Sequence, residues 1–190
     1  MDLTPLFSTF LLITLTEIGD KTMIAVITQS CRHSRKSVFL GALAALGMVS
    51  AIGVLIGQAI FEVVSRQIIE LIAGAIFIVA GITTLLMPEK KKESKWDCFR
   101  SCGGFLGTFI LVTLMELGDK TQFSVIALSA ESGAGYLVFI GALMGFALIT
   151  LIEVLFGGEL GKRVEKKYIK LASAIVFLIF GAAFILQALL

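Results

Sequence analysis

Six long apolar stretches, separated by short charged segments, occupy almost the whole of this 190-residue chain. They cover residues 3–27, 38–61, 68–87, 104–130, 136–156 and 169–190. A helix needs about 20 residues to cross the hydrocarbon core of a bilayer, and each stretch reaches that length. With 57% hydrophobic and only 16% charged residues, the chain lacks the polar surface of a soluble domain. We therefore predict an all-α, polytopic membrane protein with six transmembrane helices in the lipid bilayer.

Basic residues concentrate in three connections, residues 31–37, 88–102 and 157–170, which hold 13 of the 16 Lys and Arg residues. Because cytoplasmic loops carry an excess of Lys and Arg, we expect these connections to face the cytoplasm and both termini to be extracytoplasmic. We assign the basic loops to topology and expect no nucleic-acid partner. The first stretch lacks a basic start and a cleavage site, so we expect a retained helix rather than a signal peptide. The absence of a eukaryotic targeting sequence favours the plasma (inner) membrane of a prokaryote.

The two halves of the chain repeat each other. A shift of 99 residues aligns residues 9–30 with residues 108–129, and over half of the aligned positions are identical. Because each half holds three predicted helices, the second half must enter the membrane from the opposite side. Inverted repeats of this kind are typical of secondary transporters, whose sites lie near the bilayer midplane. The predicted organisation is a first three-helix repeat (1–87), a basic cytoplasmic linker (88–103) and a second, inverted repeat (104–190).

The first helix of each repeat contains the same charged hexapeptide, Glu-x-Gly-Asp-Lys-Thr, at residues 17–22 and 116–121. Such residues near the bilayer centre each cost roughly 3 kcal/mol or more, so a functional role is the first hypothesis. In a continuous helix the two acids of each copy are three residues apart and share one face. The acids predicted to meet at one midplane site are Glu17, Asp20, Glu116 and Asp119. The glycine between each pair permits close helix contact, or local unwinding that would free backbone carbonyls as ligands.

An all-oxygen site of this kind suits hard divalent cations such as Mn²⁺ or Ca²⁺, whereas Zn²⁺ and Cu⁺ prefer nitrogen or sulfur ligands. The predicted spans contain neither His nor Cys. Four carboxylates and two lysines carry a net charge of −2, which a divalent cation would neutralise. Without the metal, burial and like-charge crowding favour protonated carboxyls, so metal and protons would compete for the same oxygens. That competition is the minimal design of an antiporter, and no cofactor beyond the transported ion is expected.

Further residues near the two motifs are predicted to support the site. They are Lys21, Thr22, Lys120, Thr121 and Gln122. Each lysine follows its Glu by four residues, so an ion pair that limits the cost of buried charge is the leading role, and release of the lysine when metal arrives is the alternative. Gln122, which replaces Met23 of the first copy, would give the second repeat one more ligand. Glu153, which replaces Gly53, is predicted to be an interfacial carboxylate, with a proton-entry or release-path role as the alternative.

The doubled Glu-x-Gly-Asp-Lys-Thr, complete in both three-helix halves, resembles the signature of the Gdt/MneA family of cation exchangers. The resemblance covers the full length, because six helices with a charged central loop is the prokaryotic form of that family. It implies export of Mn²⁺ or Ca²⁺ from the cytoplasm in exchange for protons. By motif match, it also implies that the four acids of the hexapeptides are the metal ligands.

Three other interpretations compete. The motifs could form a structural salt-bridge cluster joining the first and fourth helices. An intramembrane aspartyl protease also uses two buried Asp, but neither Asp here follows Tyr, the residue three before each is Glu, and the adjacent lysines oppose a shared-proton dyad. An exporter of an organic cation normally needs aromatic walls, and chiefly Phe123 is near. We therefore predict a transporter and not an enzyme. The choice between Mn²⁺ and Ca²⁺, the proton stoichiometry and the oligomeric state, a homo-oligomer included, stay open.

Overall fold

The computed structural model describes residues 2–18, 21–86, 103–163 and 166–189, with their side chains except those at positions 21, 24 and 156–170. Within these ranges the chain forms eight α-helices and no strand, so the predicted all-α class is confirmed. The helices are α1 (Thr4–Glu17), α2 (Lys21–Ser30), α3 (Arg35–Val63), α4 (Arg66–Leu86), α5 (Gly104–Glu116), α6 (Lys120–Ser132), α7 (Gly135–Arg163) and α8 (Lys166–Leu189). Nearly all of the predicted linker, residues 88–102, lies outside the described residues.

Among the described residues, four helices are long and apolar enough to cross a membrane. They are α3 and α4 over their full lengths, α7 over Gly135–Leu155 and α8 over Leu171–Leu189. Their outward faces carry large apolar side chains, among them Leu55 and Ile179 with 66% and 61% exposure. Lipid covers such a surface favourably and water does not. The chain is therefore a multi-pass membrane protein.

The first and fourth apolar stretches are each divided into two helices at the charged hexapeptide, α1 with α2 and α5 with α6. The α5–α6 pair follows α3 along most of its length, because Phe105 of α5 lies against Gly41 and Val125 of α6 lies against Gly53. The 29 residues of α3 extend over about 44 Å at the ordinary helical rise. The two contacts show that the α5–α6 pair accompanies α3 past its middle. The count of six spans stays a prediction.

Helices in corresponding positions of the two halves make equivalent contacts. α1 packs along α7, and α5 packs along α3. In the first contact the carbonyl of Leu6 meets Gly141, and in the second the carbonyl of Phe105 meets Gly41. A Cβ on either glycine would overlap that oxygen, so these glycines allow two helix backbones to touch. Gly41 and Gly141 therefore serve close packing between helices.

α4 and α8 pack against each other in opposite directions. Gly74 of α4 meets Gly181 of α8, and Gly81 meets Ala174, so the residue numbers rise on one helix as they fall on the other. The buried ring of Phe77 lies 5.6 to 6.0 Å from three phenylalanine rings of α8. Close backbones and interleaved rings hold this pair together.

The helix ends define two ends of the bundle. At the first, which we call the His33 end, α2 ends and α5 begins, with Gly104 against His33. At the second, the Arg66 end, Arg66 of α4 bonds Glu131 of α6, and Gln67 donates to the last turn of α8. The basic first connection lies at the His33 end, which the positive-inside rule assigns to the cytoplasm. The orientation of the termini stays a prediction.

Candidate functional site

Both hexapeptides interrupt a helix instead of continuing it. α1 ends at Glu17 and α2 begins at Lys21, while α5 ends at Glu116 and α6 begins at Lys120. In the second copy the turn depends on Gly118, whose φ of +80° lies in the left-handed region that residues with a Cβ rarely adopt. A Cβ there would meet no atom within 4 Å, so Gly118 serves the backbone conformation and not packing. Gly19, its counterpart, lies outside the described residues.

The break overturns the helical geometry predicted for the second pair of acids. Glu116 closes α5, while Asp119 is the N-cap residue of α6, with φ −84° and ψ 166°. A turn separates them, in which the Asp119 N–H donates to the Glu116 carbonyl at 3.1 Å. The expectation that these acids share one helical face was wrong, because it assumed helical spacing across a glycine that takes a left-handed conformation. Asp20, the equivalent acid of the first copy, lies outside the described residues.

In both copies the motif threonine reaches back across the break to the motif glutamate. Thr22 Oγ1 donates to Glu17 Oε1 at 2.9 Å, and Thr121 Oγ1 donates to Glu116 Oε2 at 2.9 Å. All four side chains are at most 3% exposed. A hydroxyl that donates to a carboxylate fixes its orientation and keeps two acceptor lone pairs of its own. Each break therefore contains a buried, oriented pair of oxygen groups.

The helix ends at the breaks favour positive charge near the glutamates. The last carbonyls of α1 and α5 have no partner within their own helices, and the negative end of each helix dipole lies at Glu17 or Glu116. The hydroxyl of Ser173 in α8 donates to one of these carbonyls, that of Leu15, at 3.3 Å. A buried carboxylate at a negative helix end attracts a cation. α1 packs against α6 and α2 against α5, so the two breaks are neighbours in the bundle.

Gln122 supports the second break from within. Its Oε1 accepts a hydrogen bond from the Gly118 N–H at 2.7 Å. Met23 stands at the equivalent position of the first copy and has no amide to make such a bond. The structure thus gives Gln122 a backbone role, in which its amide oxygen holds the turn. Its predicted role as an additional ligand stays a prediction.

Of the two motif lysines, the structure describes the side chain of Lys120. Lys120 lines a mainly apolar cavity of about 480 Å³ between α4 and α6, together with Phe77, Phe123 and Thr83. The four-residue spacing that predicted its ion pair with Glu116 does not apply, because the helix ends at Glu116. The side chain of Lys21 lies outside the described residues. Both lysine roles stay predictions.

Three of the four predicted ligand acids fall in the part of the chain that the structure describes. Within that part, no group of three or more His, Cys, Asp and Glu side chains is arranged to hold a metal ion. Asp20 does not belong to it, so the four-carboxylate site stays a prediction. What the structure contains at both breaks is the Glu–Thr pair.

A charged cluster that sequence reasoning did not identify lies at the Arg66 end. Arg66 Nε bonds Glu70 at 2.9 Å, and its Nη2 bonds Glu131 at 3.1 Å. Burial raises the pKa of Glu131 above its ordinary value, although the guanidinium acts in the opposite direction. The four-residue spacing of Arg66 and Glu70 could have indicated their pairing, but Glu131 is 65 residues away from Arg66. The cluster ties α4 to α6.

A family model described as "Divalent cation/proton antiporter GDT1" matches residues 5–92 and 104–190 of this chain. The two matched segments fall within a few residues of the two predicted repeats. No solved structure matches the chain.

Curated relatives cover nearly the whole chain. It is 32% identical over 209 residues to GDT1-like protein 1, chloroplastic, of Oryza sativa subsp. japonica, an alignment that covers 95% of this chain and 61% of that protein. It is 32% identical over 203 residues to Protein PAM71, chloroplastic, of Arabidopsis thaliana, covering 92% and 55%. It is 26% identical over 229 residues to Divalent cation/proton antiporter GDT1 of Saccharomyces cerevisiae, covering 93% and 81%. The chain therefore spans under two thirds of the length of the first two relatives.

Proposed function

Because the chain belongs to the GDT1 family of divalent cation/proton antiporters, we propose that it exchanges a divalent cation for protons across a membrane. The family is one of transporters and not of enzymes, which removes the support for an aspartyl protease. The ion site lies where the two broken helices meet. Its first components are Glu17 with Thr22 and Glu116 with Thr121, and Asp20 and Asp119 complete it.

The observation that carries this proposal is the buried Glu–Thr pair, which occurs with the same 2.9 Å bond at both breaks. An ionisable group deep in a membrane protein is costly unless it is paired or used. Here the carboxylate lies at the negative end of a helix, an arrangement that favours bound positive charge over an empty site. A structural salt bridge would not require a hydroxyl partner in both copies.

The chemistry of the donors supports a hard cation. Carboxylate and hydroxyl oxygens suit Mn²⁺ and Ca²⁺, and both metals are transported in this proposal. Protons compete for the same carboxylates, because a carboxylate oxygen that binds a proton no longer binds a metal ion, and both glutamates are buried, at 3% and 2% exposure. Cation release would then follow proton uptake and proton release would follow cation binding.

The proposed mechanism is alternating access through six spans arranged as two inverted repeats. Two features support this arrangement: α1 with α7 and α5 with α3 make equivalent contacts, and α4 runs antiparallel to α8. Broken helices with their ends at the midplane are the usual form of ion sites in inverted-repeat transporters. With the His33 end in the cytoplasm of a plasma membrane, the exchanger would export the cation.

Reconstitution into liposomes tests the function directly. We expect Mn²⁺ and Ca²⁺ uptake to follow an imposed pH gradient, and addition of either metal to dissipate that gradient. Glu17→Gln and Glu116→Gln should each abolish the exchange, as should Asp20→Asn and Asp119→Asn. Glu62→Gln, which removes a charge from the exposed end of α3, serves as the matched control. Equal flux in all these proteins would contradict the proposed site, and metal flux without proton movement would contradict exchange.

A further inference from the structure

α2 turns one buried face toward the core, and this face runs from the break to the His33 end. Thr22, Val26 and Gln29 follow one another at positions i, i+4 and i+7, and each is at most 3% exposed. The equivalent face of α6, which runs from the second break to the Arg66 end, consists of Thr121, Val125 and Leu128. The two faces differ chemically at their last position, where α2 has an amide and α6 an isobutyl group.

Gln29 has no hydrogen bond for either of its amide atoms. Its Nε2 and Oε1 are both buried, and the residue is 2% exposed. A buried amide without partners costs free energy in the closed structure, and that cost disappears when water or an ion reaches it. Leu128 carries no such cost, because burial is the favourable state of an apolar side chain.

Glu153 of α7 is a second buried polar group, and the repeat relates its position to a contact with α2. Gly53 of α3, in the first half, lies against Val125 and Ile126 of α6, in the second half. The repeat offsets place Glu153 of α7 at the matching position against α2, which packs on α7. Glu153 is 6% exposed, so it lies inside the bundle. Its predicted place at the level of the membrane interface stays a prediction.

The serine that bonds across the seam between α3 and α6 has a repeat counterpart in α2, and that counterpart does not bond across the seam between α2 and α7. Ser129 Oγ of α6 donates across the seam to the Val54 carbonyl of α3 at 3.1 Å. Ser30, its repeat counterpart in α2, instead donates to the Ile27 carbonyl of its own helix at 2.9 Å. Gly57 of α3 also lets α6 approach so closely that a Cβ at position 57 would lie 2.6 Å from the Ser129 Cβ.

From these differences we propose that the α2–α7 seam is the gate that opens toward the His33 end, and that Gln29 and Glu153 line the passage by which the hydrated divalent cation reaches the site. The proposal rests on the proposed exchange function and adds two residues to it. Gln29 and Glu153 replace part of the water that the cation loses on entry. The α3–α6 seam, which has Leu128 and Gly53 in their places, stays closed while the first seam is open.

Cysteine accessibility tests the gate. The native cysteines are replaced by serine, and Gln29→Cys and Leu128→Cys are treated with a membrane-impermeant thiol reagent from each face. A variant that keeps Cys31 as its only cysteine shows which face of the membrane is the His33 end, because Cys31 is exposed there. We expect the reagent to modify Gln29→Cys from that face at least about tenfold faster than it modifies Leu128→Cys from either face. A tenfold ratio requires only a modest difference between the free energies of opening the two seams. Equal rates would overturn the proposal.

Transport measurements separate a passage from a ligand. Gln29→Leu, which copies the second repeat, should lower exchange about tenfold in both directions and leave the equilibrium Kd for Mn²⁺ unchanged. Gln67→Leu, in which the lost amide bond lies at the Arg66 end, is the matched control. A rise in Kd that accounts for the lost flux would make Gln29 a ligand and overturn the proposal. Should the wild-type chain exchange no metal for protons, the proposed function fails, and the labelling rates still decide whether this seam opens.

Discussion

Replacement of the motif threonines by valine isolates the contribution of the Glu–Thr pair. Thr22→Val and Thr121→Val each remove one hydroxyl and keep the branched shape of the side chain. The carboxylate that loses this donor stays buried, at 3% exposure for Glu17 and 2% for Glu116. A hydrogen bond to a charged group contributes about 1.5–3 kcal/mol, and every 1.4 kcal/mol changes an equilibrium or rate about tenfold. We therefore expect each variant to lower kcat/KM for the cation by roughly 10- to 100-fold.

The chain supplies a matched control for this substitution. Thr9 and Thr108 are related by the same repeat, are fully buried, and donate at 2.6 Å to the carbonyls of Pro5 and Gly104 in their own helices. Thr9→Val and Thr108→Val remove the same atoms from α1 and α5, the helices that precede the two breaks, without touching a carboxylate. Their kcat/KM should stay within about twofold of the wild type, since a bond to the helix's own backbone contributes little.

The assay is initial-rate exchange in proteoliposomes under a fixed pH gradient, with thermal unfolding in detergent measured on the same preparations. Thr22→Ser and Thr121→Ser keep the hydroxyl and should recover most of the activity. Two results would refute the reasoning. One is wild-type kcat/KM in Thr22→Val and Thr121→Val. The other is an equal loss in Thr9→Val and Thr108→Val, which would indicate a general effect of losing a buried hydroxyl.

Three further predictions concern stability, measured as Tm in detergent. Gly118→Ala places a Cβ on a residue with φ +80° and should lower the free energy of unfolding by about 1–2 kcal/mol. Gly103→Ala, at a residue with negative φ and no atom near the new Cβ, should leave Tm unchanged. Equal shifts of Tm in the two variants would contradict the left-handed turn at Gly118. Gln122→Met should lower stability by about 1 kcal/mol, because the Gly118 N–H loses its acceptor, and an unchanged Tm would refute that bond. Because burial raises the pKa of Glu131 above 4.5, the folded state binds its proton more tightly than the unfolded state, so stability should fall as pH rises from 4.5 through the raised value. Glu131→Gln should flatten this slope, and a slope that persists would assign it to another group.

Apolarity alone was enough to locate the long helices. The second, third, fifth and sixth stretches each became one helix, because in lipid a continuous apolar segment satisfies its backbone only by helical hydrogen bonds. The break in the first and fourth stretches was less predictable. A glycine is compatible both with a helix and with a turn, and at Gly118 the chain takes the turn, where the Gln122 side chain accepts a hydrogen bond from the Gly118 N–H. The helical face assigned to Glu116 and Asp119 failed for that reason.

The pairing of Glu with Thr also lay beyond sequence reasoning. Thr22 and Thr121 were predicted only as nearby oxygen donors, since five residues separate each from its glutamate and a regular helix would place them on different faces. The break brings them together. Gln29 was not identified, because a glutamine near a predicted loop is ordinarily an interfacial residue. α2 packs against α5 and α7, which are distant in sequence, and no local pattern contains such contacts.

The unequal seams affect which side of the site is open at rest, and not the direction of net transport. A passive exchanger follows the gradients of its two ions, so a residue that lines the passage, such as Gln29, cannot set the direction of net flux. A passage that opens more readily lets ions enter and leave equally. The populations of the two open states can differ, however, because each depends on the free energy of separating one seam. Separation of α3 from α6 breaks the bond from Ser129 to Val54 and exposes Leu128, whereas separation of α2 from α7 hydrates Gln29. Without gradients, the chain should therefore rest open toward the His33 end more often than toward the Arg66 end. A cation that arrives at the His33 end would then find the site already accessible.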